Sequence, residues 1–474
     1  MAVPPMHSGP KRADSSQPSS RGTWGSKLGF ILAAAGSAVG LGNVWRFPYV
    51  TGSNGGGAFV MVYLLCIVLV GLPIIVAEVL IGRATQRSPV AAFRALSRRG
   101  GPWMLVGWLG VAAGFVILSF YTVVSGWSVY YAYRAFFGGF TNLGASEINH
   151  MFDALVADHT RNLGLHALFM AACIGIVISG VRSGIERWSR ILMPALFLML
   201  ISLAIYGCFL PGWRKAFDFM FAFRFSQLNA SAILEAMGQA FFSLSLGMGA
   251  MITYGSYLSK ETGVLGAATS VVALDTFVAL LSSLVIFPVI FSFGMAPSSG
   301  PGLVFKSLPL AFAQMPGGYV VAICFFSLLV FAALTSAVSL LEVVSSTFID
   351  LYGWSRQKAT LFTGCVAFAF GIPSALSGKG FFLTWFKSHL SMSYFDLMDN
   401  LASNWMLPLG GLATAVFAGW FFRADHRDRE FLVATKSTFR LPWLYLVRFL
   451  APIAVFVVLL NYTGILAKIQ HLMR

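Results

Sequence analysis

Charge is scarce in this 474-residue chain: Asp, Glu, Lys and Arg together make up 10% of it, against roughly 25% in soluble domains. With 57% hydrophobic residues beside so little charge, a string of soluble domains is excluded, and an integral membrane protein is the class that remains. Acid is scarcer than base, 17 Asp and Glu facing 32 Lys and Arg for a net charge of +15. A mean hydropathy of +0.78 leaves no solvated face for a nucleic-acid footprint. Nucleic acid is therefore not expected as a partner, and the excess base should orient the chain in a lipid bilayer. Only five cysteines occur, Cys66, Cys173, Cys208, Cys324 and Cys365, all in apolar runs. They are expected to be buried small hydrophobes, not a disulfide frame or a metal site. Catalytic signatures are missing as well: there is no HExxH, no GxSxG and no Walker loop, and the Gly-Leu-Gly-Asn at 40–43 lacks the third glycine and preceding strand of a dinucleotide site. His150, His159 and His166 fall in or beside one loop at irregular spacing, which is no metal signature. An enzyme is not expected.

What is present is a series of long apolar runs. Stretches able to cross about 30 Å of hydrocarbon recur at 29–49, 57–82, 103–137, 165–181, 190–210, 236–258, 264–293, 319–350, 358–373, 393–422 and 442–465, eleven spans in all. Residues 1–22, rich in Pro, Ser and charge, are expected to be a disordered cytoplasmic N-terminus and not a cleaved signal. With the N-terminus inside, the densest basic loop, Arg83 to Arg99, and the turn at 423–430 fall on the cytoplasmic side. The positive-inside rule thus places the chain in the cell membrane, N-terminus cytoplasmic and C-terminus outside.

Spans one and six differ from the rest because glycine and small residues gather at their midpoints, AGSAVGLGN at 35–43 and SLSLGMG at 243–249. A glycine pair such as Gly36 and Gly40 can simply let two helices pack closely. Two breaks five spans apart, each flanked by polar side chains, point instead to inverted repeats whose half-unwound helices expose backbone groups to a site at mid-membrane. Ionisable residues inside spans mark function because burying them is costly; here they are Arg46, Glu78, Asp275, Glu342 and, nearer the outer ends, Glu235 and Asp399. Asp275 has no basic residue within helical reach, so its ionised form needs an external cation. Ser37, Asn43, Ser243, Ser245, Thr335 and Ser336 supply neutral oxygens near the breaks, the donor type that hard cations prefer.

Three segments, GSAVGLGNVWRFPYVTGSNGGGAF (36–59), GQAFFSLSLGMGAMITYGSY (238–257) and LTSAVSLLE (334–342), resemble the neurotransmitter:sodium symporter family, and the likeness runs from Arg21 to about Trp420. The chain is most similar to the bacterial amino-acid branch, whose members include transporters of many hydrophobic and aromatic amino acids. The resemblance implies an all-α membrane fold of two inverted five-helix repeats, residues 23–211 and 212–423, with broken helices one and six, followed by a loop and an eleventh span at 424–474. It also implies two sodium sites. The first would draw on Ala38, Asn43, Ser243 and Asp275 with the substrate carboxylate, and the second on Gly36, Val39, Ala332, Thr335 and Ser336. The substrate carboxylate would meet the N–H groups of Leu41 and Gly42 and the hydroxyl of Tyr121, and its amine the carbonyls of Ala38, Phe242 and Ser243. Ser37 and Gly40 belong to the same unwound stretch, and the substrate side chain would face Ile117, Ser245, Met248, Ser336 and Leu340. Arg46 and Asp399 match an external charge gate lidded by Phe242 and Tyr121, and Arg21 and Asp350 an internal one, with Trp24, Ser256 and Tyr257 nearby. Glu78 matches an acid that holds the broken sixth span.

The pattern also departs from the family's. Ser37 and Ser243 stand where the bacterial leucine transporter has Asn and Thr, Met248 replaces a pocket Phe, and an acid, Asp275, occupies a position where Asn is usual. The expected activity is import of a neutral hydrophobic or aromatic amino acid with two Na⁺ by alternating access, chloride not being required. A channel or a non-transporting amino-acid sensor on the same scaffold is the alternative.

Overall fold

The computed structural model describes residues 22–97, 101–141, 143–224, 226, 228–295 and 302–463. The N-terminal segment expected to be disordered lies, but for Gly22, outside the described residues, as does Arg21 of the expected internal gate. The described residues are helical with no strand among them. Among the described residues, nine helices are long and apolar enough to cross a membrane: Gly57–Thr85, Met104–Phe136, His159–Ile178, Val181–Cys208, Val264–Ser292, Gly318–Tyr352, Arg356–Ala375, Tyr394–Phe421 and Ser437–Tyr462. A tenth crossing is a pair, Lys27–Ala38 and Gly42–Ser53, bent by 52°. The sixth in chain order is split further, into Ala230–Ser243 and Ala250–Gly255. The end of the bundle carrying Trp24 is called the inner end below and the end carrying Arg46 the outer, after the orientation expected from the charge bias.

Each break has a local cause. Span one starts at Ser26, whose side chain accepts from the Gly29 N–H at 2.9 Å, and runs until Val39 turns extended (φ −69°, ψ 106°). Gly40 then passes so close to span eight and span three that a Cβ there would lie 2.6 Å from Ser336 Oγ and 2.8 Å from Tyr121 Oη. Span six is capped by Asn229, which accepts from the Ala232 N–H at 2.7 Å. Its interruption holds three residues with left-handed φ, Ser245 at 54°, Gly247 at 80° and Gly249 at 75°. For the serine this conformation costs on the order of 1–2 kcal/mol, offset in part where its hydroxyl donates to the Ser37 carbonyl at 3.2 Å. The buried Glu78 of span two accepts from the Gly247 N–H at 2.8 Å, which satisfies a donor that unwinding freed.

The broken spans sit inside the bundle. Span one packs against spans five, seven and eight, the two halves of span six against span two, and spans three and eight against each other. Large apolar side chains such as Leu105, Leu198, Phe209 and Ile453 point outward, more than half exposed, as a lipid-facing surface requires.

One sequence-based expectation is corrected here. All five cysteines are free, but only Cys66 and Cys173 are buried; Cys324 is half-buried, and Cys208 and Cys365 are exposed. Acyl chains are as apolar as a protein core, so an apolar run in a membrane helix contains both inward and lipid-facing positions.

Candidate functional site

The first polar cluster joins the breaks to span seven. The Asn43 amide nitrogen donates to Asp275 Oδ1 at 2.8 Å, to the Asp275 carbonyl at 3.1 Å and to Ser243 Oγ at 3.0 Å. Ser243 in turn donates to Asp275 Oδ2 at 2.7 Å, and the Tyr63 hydroxyl donates to Ser243 at 3.3 Å. The Asn43 side-chain oxygen accepts from the Gly40 N–H at 3.1 Å, which ties the cluster to the unwound stretch. Asp275, Asn43 and Ser243 are all buried, and no described cationic side chain pairs with the carboxylate. An ionised Asp275 is thus stabilised only by neutral donors, and the arrangement suits a small cation taken up beside it.

A second cluster links span one to span eight. Ser336 Oγ lies 3.3, 3.2 and 3.1 Å from the carbonyls of Gly36, Ser37 and Val39, three oxygens that the helix break has released. Thr335 donates to the carbonyls of Phe331 and Ala332, both at 3.1 Å. Ser336 therefore meets three span-one carbonyls, and Thr335 lies beside Gly36 while its hydroxyl bonds within span eight. Ser37 turns its hydroxyl away, donating to Ser339 at 2.8 Å.

Between the clusters is a small cavity of about 30 Å³ bounded by Ala38, Gly40 and Gly42 of span one, Ile117 and Tyr121 of span three and Phe242, Ser245 and Met248 of span six. Ser37, Ser336 and Leu340 complete it, and no lining residue is ionisable at neutral pH. Tyr121 Oη accepts from the Leu41 N–H at 3.1 Å at the start of the second half-helix of span one. That end carries the positive pole of the helix and suits a carboxylate. Leu41 otherwise faces a second cavity above.

This upper cavity, about 260 Å³, is walled by Trp45, Arg46, Phe120, Phe242, Phe395 and Asp399 among others. Tyr121 and Phe242 line both cavities and so form the partition between them. Arg46 and Asp399 line the same vestibule without forming an ion pair. The Arg46 guanidinium lies 4.5 Å over the Phe242 ring, and Asp399 accepts from the Ser403 hydroxyl at 2.9 Å.

Aromatic side chains pack together at the inner end. Trp24 donates from its indole to the Tyr254 carbonyl at 2.9 Å and packs edge-on against Tyr254 and Tyr257. Glu186 holds the adjoining backbone by accepting from the Gly25 N–H at 2.7 Å. Asp350 accepts from the Ser88 N–H at 2.6 Å. A partner invisible to sequence reasoning appears at Glu342, whose carboxylate is fully buried and gripped by Arg356 at 2.7 and 3.1 Å and by the Tyr257 hydroxyl. Arg356 is not singled out by the sequence; its only signal is its place just past Gly353, where the chain reverses.

Comparison with known proteins places this geometry in context. The model of the sodium:neurotransmitter symporter family matches residues 21–155 and 145–469. The chain is 38% identical to an uncharacterized sodium-dependent transporter, YhdH, of Bacillus subtilis over 447 residues, 94% of this chain and 98% of that protein. A sodium-dependent transporter of Haemophilus influenzae is 32% identical over 450 residues, 93% of this chain and 98% of that one. Among solved structures, that of MhsT in complex with L-phenylalanine matches with a TM-score of 0.86 and 46% identity, across 93% of this chain and 99% of that one.

Proposed function

The chain belongs to the sodium:neurotransmitter symporter family and is a multi-pass, sodium-dependent transporter, and on that premise we propose that it imports bulky neutral amino acids together with two sodium ions and without chloride. One observation carries the reading: a cavity with no ionisable lining lies between two oxygen clusters, at the breaks of spans one and six, and its volume of about 30 Å³ must widen for a bulky side chain, with the flexible Met248 the wall able to give. A charged side chain in that cavity would be stranded without a partner. The amino acid's carboxylate has the Leu41 and Gly42 end of a helix and the Tyr121 hydroxyl to meet it, and its amine the carbonyls left by unwinding. The phenylalanine bound by MhsT is of the same class.

The first sodium belongs between Asn43, Ser243, Asp275 and the substrate carboxylate, the second among Gly36, Val39, Ala332, Thr335 and Ser336. A carboxylate shared by substrate and sodium makes their affinities mutually dependent. Asp275 supplies the negative charge that balances the first sodium, so no anion is needed beside it, and Ala279 one turn on has no group to bind one. In this scheme substrate enters from the vestibule past Tyr121 and Phe242, Arg46 and Asp399 then approach to close it, and the inner plug around Trp24 and Glu342 opens.

Uptake of labelled leucine or tryptophan into proteoliposomes under an inward sodium gradient tests the proposal, with competition by the other amino acids. Accumulation should require sodium, survive replacement of chloride by gluconate and be displaced by large neutral amino acids. Binding without accumulation would favour a sensor, and displacement by glutamate or glycine ahead of leucine would refute the assigned cavity.

A further inference from the structure

At the inner end, a cavity of about 360 Å³ lies where the end of span two, the short helix Pro89–Leu96 and the end of span ten meet. Three basic side chains face it, Arg87, Arg423 and His426, and no carboxylate lines it. Neither Arg87 nor Arg423 makes an ion pair with a described residue, although acids are close by. Asp425, two residues from Arg423, is exposed and does not line the cavity, and Asp350, which shares a neighbouring cavity with Arg87, accepts from the Ser88 N–H. Glu430 pairs with Arg83 at 2.9 Å and Lys260 at 3.2 Å, and approaches His426 at 3.7 Å, while Asp428 holds Arg427 and Arg440. Two arginines are thus left over on one concave surface.

Apolar side chains also line it, Ala84, Ala95, Leu96 and the buried Phe422. Its depth is marked by the two residues before Phe422, Trp420 and Phe421, which are 54% and 56% exposed on the outside of the bundle. Aromatic side chains in that position belong to the level of the lipid headgroups. A cavity lined by basic and apolar side chains at headgroup depth fits a ligand with a phosphate at one end and a hydrocarbon chain at the other, and basic pockets on the cytoplasmic side of a bundle suit acidic headgroups.

We propose that Arg87 and Arg423, with His426, bind the phosphate of an anionic phospholipid, bridging the inner ends of spans two and ten. Free inorganic phosphate shares the chemistry but has no use for Leu96 and Phe422.

Native mass spectrometry of the full chain, with added phosphatidylglycerol, phosphatidylcholine or inorganic phosphate, distinguishes these. Phosphatidylglycerol should be retained in preference to phosphatidylcholine, and Arg87→Ala or Arg423→Ala should each weaken retention about fivefold, as for a basic side chain at an anionic surface. Arg87→Lys/Arg423→Lys should keep most of the preference. Arg429→Ala, an exposed arginine at the same end that does not face the cavity, should leave it unchanged. A thermal unfolding curve of each variant separates lost binding from lost fold. Equal retention of both lipids, an equal loss in Arg429→Ala, or displacement of the lipid by millimolar phosphate would overturn the proposal.

Discussion

Replacing Asp275 by Asn removes one charge while changing shape very little, which makes it the sharpest probe of the proposed first sodium site. Asp275 accepts on both oxygens, from Asn43 at 2.8 Å and from Ser243 at 2.7 Å. An asparagine has one acceptor, so its amide must face a group that now donates. If the amide turns to Ser243, that hydroxyl, already accepting from Asn43 at 3.0 Å and Tyr63 at 3.3 Å, loses its acceptor, at a cost of about 1 kcal/mol. The larger effect is on the cation. A unit charge about 4 Å from another at an effective dielectric of about 20 gains about 4 kcal/mol, equivalent to about a thousandfold in affinity. The desolvation that a buried carboxylate suffers and an amide does not will offset part of this. The half-saturating sodium concentration should therefore rise about 10- to 100-fold. Uptake of labelled substrate in proteoliposomes across a sodium titration measures it, with substrate saturating so that its own affinity does not limit the readout. A rise of less than about threefold, worth under 1 kcal/mol, would mean that Asp275 does not face the ion, and the charge-balance argument against chloride would fall with it.

Met248→Phe should disfavour tryptophan more than leucine, because the flexible thioether can fold away from an indole and a rigid ring cannot; competition curves for the two amino acids check this, and a parallel shift in both would refute it. Gly40→Ala should abolish substrate binding, since its Cβ would sit 2.6 Å from Ser336 Oγ and 2.8 Å from Tyr121 Oη, and equilibrium binding of labelled leucine at high sodium reads it directly. Arg356→Ala strands the buried Glu342 carboxylate, a loss of about 3–5 kcal/mol for a broken buried pair, so a cysteine introduced at Ser256 should label faster from the inner side; an unchanged rate would show that the pair does not hold that end shut. Arg46→Ala should lower substrate affinity by impairing closure of the vestibule, whereas an exposed rim charge would contribute only about 0–1 kcal/mol and leave affinity and turnover alone.

Much of this protein was determined locally. Hydropathy marked the crossings, because a segment of about 20 apolar residues has to satisfy its own backbone as a helix in lipid. Glycines clustered at mid-span marked the two breaks, and the structure has helix ends at Ala38 and Ser243. Asp275 stood out because no basic residue lies near it along its helix, and no described residue adds one across space.

Other features depended on how the spans were assembled. Which cysteines face lipid could not be read from apolar runs, since core and lipid make the same demand on a side chain. Glu342 and Arg356 are 14 residues apart across a chain reversal, a spacing with no helical meaning until spans eight and nine pack side by side. Arg46 and Asp399 share a vestibule, yet Arg46 rests on Phe242 instead of pairing with the acid. A sequence can state that two opposite charges lie at similar depth; whether their side chains meet depends on the rigid-body placement of whole helices, and that is a property of the packed bundle alone.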